Sequence, residues 1–226
     1  MTSSRHLCYN TPMSPSPPPR LIVASTNAGK IKEFRRILGE VFEVIPLSQT
    51  TFSDEIEETG ATFFDNALLK AKAVYGRLGV PVLADDSGLC VEALDGAPGV
   101  YSARYGGAGA TAADCNALLL KNLEGVANRS AKFVACIVLY FGRDKFLVGN
   151  GETAGRILTE PDGTNGFGYD PIFFSDELGK SFGQACADEK NAVSHRGRAL
   201  ADLLTRIANS EKRKTSDRNG WQNSNN

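Results

Sequence analysis

Residues 21–30 read Leu21-Ile22-Val23-Ala24-Ser25-Thr26-Asn27-Ala28-Gly29-Lys30, and apolar side chains then recur at Ile31, Phe34, Ile37 and Leu38. The four opening residues read as a short buried strand, and the spacing from Lys30 to Leu38 is helical. A strand passing through a tight polar turn into a helix is the opening of an α/β domain. Hydroxyls, a glycine and a lysine fill that turn, where the exposed N–H groups and dipole of a helix N-terminus favour phosphate. The turn lacks the leading glycine of a Walker A loop and has Ile31 where that loop needs Ser or Thr, which argues against a P-loop NTPase.

Downstream the alternation continues. Thr62 to Leu78 carries Phe64, Leu68, Ala71, Tyr75 and Leu78 on one face, with Thr62 and Asp65 as an N-terminal cap. The run Val80-Pro81-Val82-Leu83 reads as a strand with Asp85 and Asp86 emerging at its end. A helix is expected from about Thr111 to Leu123, then strands near 131–141 and 145–154 joined around Gly142-Arg143-Asp144. Those two strands should be antiparallel, which makes the sheet mixed. Ser194 reads as the N-cap of a closing helix through Leu200, Leu203, Leu204 and Ile207. Residues 1–20 are rich in Pro and Ser and residues 209–226 are polar, so both are expected to be disordered flanks of a single domain over 21–208.

Composition narrows the function. With 25 Lys+Arg against 26 Asp+Glu the formal net charge is -1, so no global field draws in nucleic acid or a membrane surface. The longest apolar stretch, Ala135 to Phe141, is too short to span a bilayer. Five widely spaced cysteines and two histidines, with no Cys-x-x-Cys pair, argue against a zinc site or a disulfide framework and fit a reducing cytoplasm.

Three further groups carry chemistry. In Gly163-Thr164-Asn165-Gly166-Phe167-Gly168-Tyr169-Asp170-Pro171 the glycines allow close backbone approach to a flat ligand, an aromatic offers a stacking face and Asp170 an acceptor. In Ala84-Asp85-Asp86-Ser87-Gly88 the adjacent carboxylates suit a hard cation such as Mg²⁺, which one of Glu55, Glu57 and Glu58 would have to help hold. Lys190, His195 and Arg196 make a donor set for an oxygen-rich ligand. A base site and a metal site in one chain point to a nucleotide.

Ser25-Thr26-Asn27-x-Gly29-Lys30, Glu57-Glu58-Thr59-Gly60, Phe64-x-Asn66-Ala67-x-x-Lys70-Ala71, Ala84 to Gly88, Gly96 to Tyr105, Gly166 to Pro171 and Ser194-His195-Arg196-Gly197 together resemble the inosine triphosphate pyrophosphatase family, in the family's order from about Leu21 to Ile207. The resemblance implies an elongated mixed α/β sheet flanked by helices, with two lobes and the active-site cleft between them. It implies hydrolysis of non-standard purine nucleoside triphosphates (ITP, dITP, XTP) to the monophosphate and pyrophosphate, with Mg²⁺ and as a cytoplasmic homodimer. Carried onto this chain, Ser25, Thr26, Asn27, Ala28, Gly29 and Lys30 hold the triphosphate with Lys70 nearby. Glu57 and Asp86 hold the metal, and Asp86 is the catalytic base. Ser87, Phe167, Gly168, Tyr169 and Asp170 contact the nucleoside, while Lys190, His195 and Arg196 read the base. Ser25-Thr26 departs from the family's usual Thr followed by a small residue, keeping a hydroxyl but narrowing the loop. The other readings are a related pyrophosphatase with a different base preference and a non-catalytic purine nucleotide sensor.

Overall fold

The computed structural model describes residues 17–222. The order is β1 (Arg20–Val23), α1 (Ala28–Leu38), β2 (Glu43–Pro46), α2 (Phe63–Leu78), β3 (Val82–Val91), α3 (Ala112–Asn122), β4 (Ser130–Gly142), β5 (Lys145–Ile157), β6 (Phe173–Ser175), β7 (Lys180–Ser181), α4 (Ala187–Val193) and α5 (His195–Gln222). One seven-stranded sheet runs β2-β1-β3-β4-β5-β6-β7. β1 pairs parallel with β2 and β3, and every later pairing is antiparallel. This is the mixed α/β sheet that the alternating pattern predicts.

The strand period places the helices. On β4, Ala135, Ile137 and Leu139 face α1 and α5, packing with Leu21, Val23, Phe34, Leu200 and Leu203. Cys136, Val138 and Tyr140 face the other way, against Ala67, Ala71 and Val74 of α2. A third cluster gathers Leu119 and Leu123 at α3 with Phe133, Tyr169, Phe173 and Phe182. The caps follow the sequence: Thr62 accepts from the Asp65 amide at α2, and Thr111 with Asp114 forms a capping box at α3. Ser194 caps α5, its Oγ accepting from the Gly197 amide at 3.1 Å.

Two expectations change. Asp85 and Asp86 lie in the middle of β3, paired opposite Ile137 and Cys136, and not at its end. It is β1 that ends there: its pairing with β3 stops at Val23 opposite Leu83, and Ala24 donates one further bond to the Leu83 carbonyl. The carboxylates therefore emerge where β3 loses its parallel neighbour and the 25–30 turn departs. The second change is at the C-terminus, where α5 continues to Gln222 through most of the expected tail. No proline interrupts that segment, so the helical backbone has no forced stop. Residues 1–16 of the expected N-terminal extension lie outside the described residues, and Arg20 already belongs to β1.

α5 lies directly on the backbone of β5. A Cβ at Gly151 would sit 2.2 Å from the His195 carbonyl and 2.4 Å from the Ala199 amide, both rigid backbone. Gly151→Ala is therefore expected to lower stability by about 1–3 kcal/mol through overpacking. It should also shift the helix start that carries His195 and Arg196. Thermal unfolding together with a ligand-binding measurement checks both, and an unchanged melting temperature would contradict this packing.

Candidate active site

A cavity of about 510 Å³ opens at the turn between β1 and α1. Asn27, Ala28, Gly29 and Lys30 line one side of it. Asn27 is the N-cap of α1, its Oδ1 accepting from the Lys30 amide at 3.0 Å, and Ser25 Oγ accepts from the Asn27 amide at 3.1 Å. The first turn of α1 holds no acidic residue, so the positive end of the helix is left for an external anion. Of the six turn residues expected to hold phosphate, Ser25 shapes the turn and Thr26 faces a separate shallow cavity beside Lys32 and Arg35. Neither lines the main one.

The two aspartates of β3 point to opposite faces, as adjacent strand residues must. Asp86 lines the cavity on the α2 side, where Lys70 Nζ donates to its Oδ1 at 2.8 Å and Asn66 Nδ2 to its Oδ2 at 3.3 Å. Lys70 also donates to Glu58 at 2.8 Å, so one ammonium joins two carboxylates. Burial pushes the Asp86 carboxyl above its ordinary value, an effect that Lys70 opposes but does not cancel. Burial also pushes Glu58 upward, but Lys70 outweighs it and the net direction is down. Glu57, expected beside Asp86, is exposed and does not line the cavity, whereas its neighbour Glu58 does.

Asp85 is fully buried on the other face and does different work. It pairs with Lys30 at 2.7 Å and with Arg196 at 3.2 Å, and accepts from Ser87 Oγ at 3.1 Å. Burial would raise its pKa, but Arg196 and Lys30 hold it far below the carboxylate range, so it is a permanent anion. Arg196 also bonds Ser87 at 2.8 Å and Glu33 of α1. Glu33 takes a second cation, Lys190, at 2.7 Å, and Lys190 in turn bonds Asp170. Lys30, Lys190 and Arg196 thus interlock with Glu33, Asp85 and Asp170, and all but Lys30 are buried.

Phe167 closes this side. A Cβ on Gly29 would fall 2.5 Å from its ring, so only glycine lets the ring rest on the helix start. Lys190 and Arg196 lie over the same ring at 4.7 and 5.8 Å. Tyr169 is buried and donates to the Ser102 carbonyl at 2.8 Å, and Asp170 accepts from the Phe167 amide at 2.7 Å. Asp170, expected as an acceptor for a ligand, lines the cavity and uses its Oδ2 to shape its own loop and to hold Lys190. His195 stacks on Phe133 at 4.7 Å, and burial, helped by Arg196, lowers its pKa and keeps the imidazole neutral. His195 Nδ1 and Arg196 Nε are buried with no partner among the described residues, and both side chains line the cavity.

With that geometry in place, residues 21–206 match the model of the Ham1 family. The chain belongs to the Ham1 family. Among similar proteins is the dITP/XTP pyrophosphatase of Geobacter sulfurreducens, 49% identical over 187 residues, covering 81% of this chain and 94% of that one. The dITP/XTP pyrophosphatase of Treponema denticola is 43% identical over 187 residues, covering 81% and 96%. A solved HAM1 protein from Coxiella burnetii superposes with a TM-score of 0.77 at 40% identity, covering 84% of this chain and 99% of that one.

In this Ham1 chain, then, Asn27, Ala28, Gly29, Lys30, Asp86, Ser87, Phe167, Gly168, Tyr169, Asp170, Lys190, His195 and Arg196 all reach the cavity, and Lys70 reaches it through Asp86 and Glu58. Sequence reasoning missed three neighbours that hold cavity residues: Glu33, Asn66, and Arg104, whose Nη1 donates to Glu58 at 3.2 Å. Glu33 left one signal, since it lies three residues after Lys30 and so on the same face of α1. Because Asp85 neutralises both Lys30 and the buried Arg196, Asp85→Asn should cost about 3–5 kcal/mol near neutral pH. The depressed folded-state pKa fixes the sign: this stabilisation is present above the unfolded value and is lost as pH falls through the folded one. The gap between wild type and variant should therefore narrow only below about pH 4. Urea unfolding at neutral and acid pH reads it, and a gap that widened on acidification would refute the assignment.

Proposed function

We propose that the protein hydrolyses ITP, dITP and XTP between the α and β phosphates, releasing the monophosphate and pyrophosphate. One observation carries the reading. A single cavity joins an anion-attracting helix start, a carboxylate pair sharing a lysine, and a neutral histidine and arginine each with a spare polar atom. The names of the relatives, dITP/XTP pyrophosphatases, support the same substrate class.

Glu58 and Asp86 fit a Mg²⁺ ion of the kind held by one or two carboxylates plus substrate phosphates. Among the described residues no cluster of three or more acidic, Cys or His side chains stands ready as a protein-only cage. When bound, the metal acidifies water and offsets charge on the leaving pyrophosphate. Asp86 takes the proton of the attacking water, and its raised pKa makes it a stronger acceptor than Asp85, whose proton affinity its two cations remove. Lys30 and the α1 amides hold phosphate oxygens, and Phe167 supplies a stacking face for the purine.

Arg196 and His195 read the 6-oxo group. Both terminal nitrogens of Arg196 are already bound to Glu33, Asp85 and Ser87, so the group is rigid and its Nε is left without a partner among the described residues. An adenine amino group would oppose that donor and leave it unpaired, at a cost of about 1–3 kcal/mol. Four described cysteines are free, in keeping with a reducing cytoplasm, and the family resemblance supports a homodimer.

Incubation with Mg²⁺ and ITP, dITP, XTP, GTP or ATP, with product identification, tests the proposal. Monophosphate plus pyrophosphate should form from the first three far faster than from ATP. Release of orthophosphate would refute the bond assignment. Asp86→Asn should lower kcat by about two to four decades while nucleotide binding stays measurable. Near-normal turnover in that variant would move the base elsewhere. Arg196→Lys keeps the charge but loses the fixed Nε–H, so the ITP to ATP ratio of kcat/KM should shrink by about tenfold, whereas Phe167→Ala should lower both alike. An unchanged ratio in Arg196→Lys would take base reading away from that nitrogen.

A further inference from the structure

Residues 52–60 carry Glu58 to the cavity without helix or strand. Three anchors hold this segment. Phe52 is buried and Ile56 packs against the α2 cluster near its start, and the Gly60 amide donates to Asn66 Oδ1 at 2.8 Å at its end. Between them the chain is gripped by a residue from another part of the fold. Arg104 Nη1 donates to Glu58 Oε2 and its Nη2 to the Glu58 carbonyl, each at 3.2 Å. One planar fork thus reads both the side chain and the backbone of the same residue, a geometry an ammonium cannot reproduce.

Arg104 stands on a fixed platform. It ends the 3-10 turn Gly99–Arg104, in which Ser102 Oγ donates to the Gly99 carbonyl at 2.6 Å and accepts from the Leu89 amide at 2.9 Å. The Ser102 carbonyl takes the Tyr169 hydroxyl, and a Cβ on Gly88 would meet the Gly99 carbonyl at 2.3 Å, so turn and strand are in direct contact. The Arg104 side chain is 43% exposed and lies over the Tyr101 ring at 5.5 Å. An ion pair that open to water adds little to global stability. What it adds is local: together with the Lys70 bond to Glu58 Oε1, it distinguishes which of two consecutive glutamates faces Asp86.

We propose that Arg104 is a positioning residue that sets the register of segment 52–60, holding Glu58 toward the cavity and Glu57 toward solvent. This rests on the reading of Glu58 and Asp86 as the cation-holding pair. Loss of Arg104 should free the segment, so that Glu58 is presented only part of the time and more metal is needed to reach the same occupancy.

Limited digestion of the metal-free protein with a glutamate-specific protease tests the register directly. Scission between Glu55 and Glu58 should be about tenfold faster in Arg104→Ala, intermediate in Arg104→Lys, with an unchanged melting temperature. With ITP as substrate, the Mg²⁺ concentration for half-maximal rate should rise about tenfold in Arg104→Ala, and excess Mg²⁺ should recover the lost turnover. Unchanged scission overturns the proposal. So does a loss of turnover that appears as a raised KM for nucleotide and is not recovered by Mg²⁺, for Arg104 would then touch the substrate. If the wild-type protein hydrolyses no nucleoside triphosphate, the proposed function fails while the digestion still decides the role of Arg104.

Discussion

The structure turns on the pairing of Asp85 with Lys30 and Arg196 beneath the end of β1. Each partner comes from a different element: the aspartate from mid β3, the lysine from the first turn of α1, the arginine from the first turn of α5. A fully buried carboxylate without those cations would cost several kcal/mol, and the cations need it equally. The chain therefore cannot place β3 in the sheet without also drawing the starts of α1 and α5 to one point. The cavity forms there because two helix starts converge beyond the last residue that β1 pairs.

Glu33 and Asp170 extend that constraint to the base side. Together with Asp85 they balance Lys30, Lys190 and Arg196 charge for charge, so these donors are held in fixed directions. Donors fixed in this way discriminate better than flexible ones, because a ligand with the wrong edge cannot induce them to turn away. Phe167 is held beside the same groups, its ring against Gly29 and near Lys190 and Arg196.

The sequence carried the order of elements well where its signals were local. The Thr62 and Ser194 caps, the period of α2 and the antiparallel hairpin around residues 142–144 all depend on neighbours within one turn or one strand pair. It failed where the answer depended on a distant partner. β2, β6, β7 and α4 are too short to show a period, and their pairing comes from the sheet beside them. The choice between Glu57 and Glu58 is similar: both sit in the same charged run, and only Lys70 and Arg104, 12 and 46 residues away, distinguish them. The bond between Asp170 and Lys190 was hidden in the same way, since the two lie 20 residues apart. The distinction between Asp85 and Asp86 was half legible, since strand alternation requires opposite faces but does not name which face is wet.

That alternation explains why two adjacent aspartates cannot exchange roles. Asp85 is itself fully buried and meets two cations, so its proton affinity is driven far down and it would be a poor base even if water reached it. Asp86 shares a single lysine with Glu58 and faces the cavity, so burial prevails and its proton affinity rises. A shift of β3 by one residue would send Asp85 to the cavity and bury Asp86 opposite Lys30, but it would also turn Ala84 and Leu83 onto the wrong helices. The packing of Leu83 against α1 and α5, and of Ala84 against α2, is therefore what keeps the cavity-facing carboxylate and the buried, doubly paired one apart.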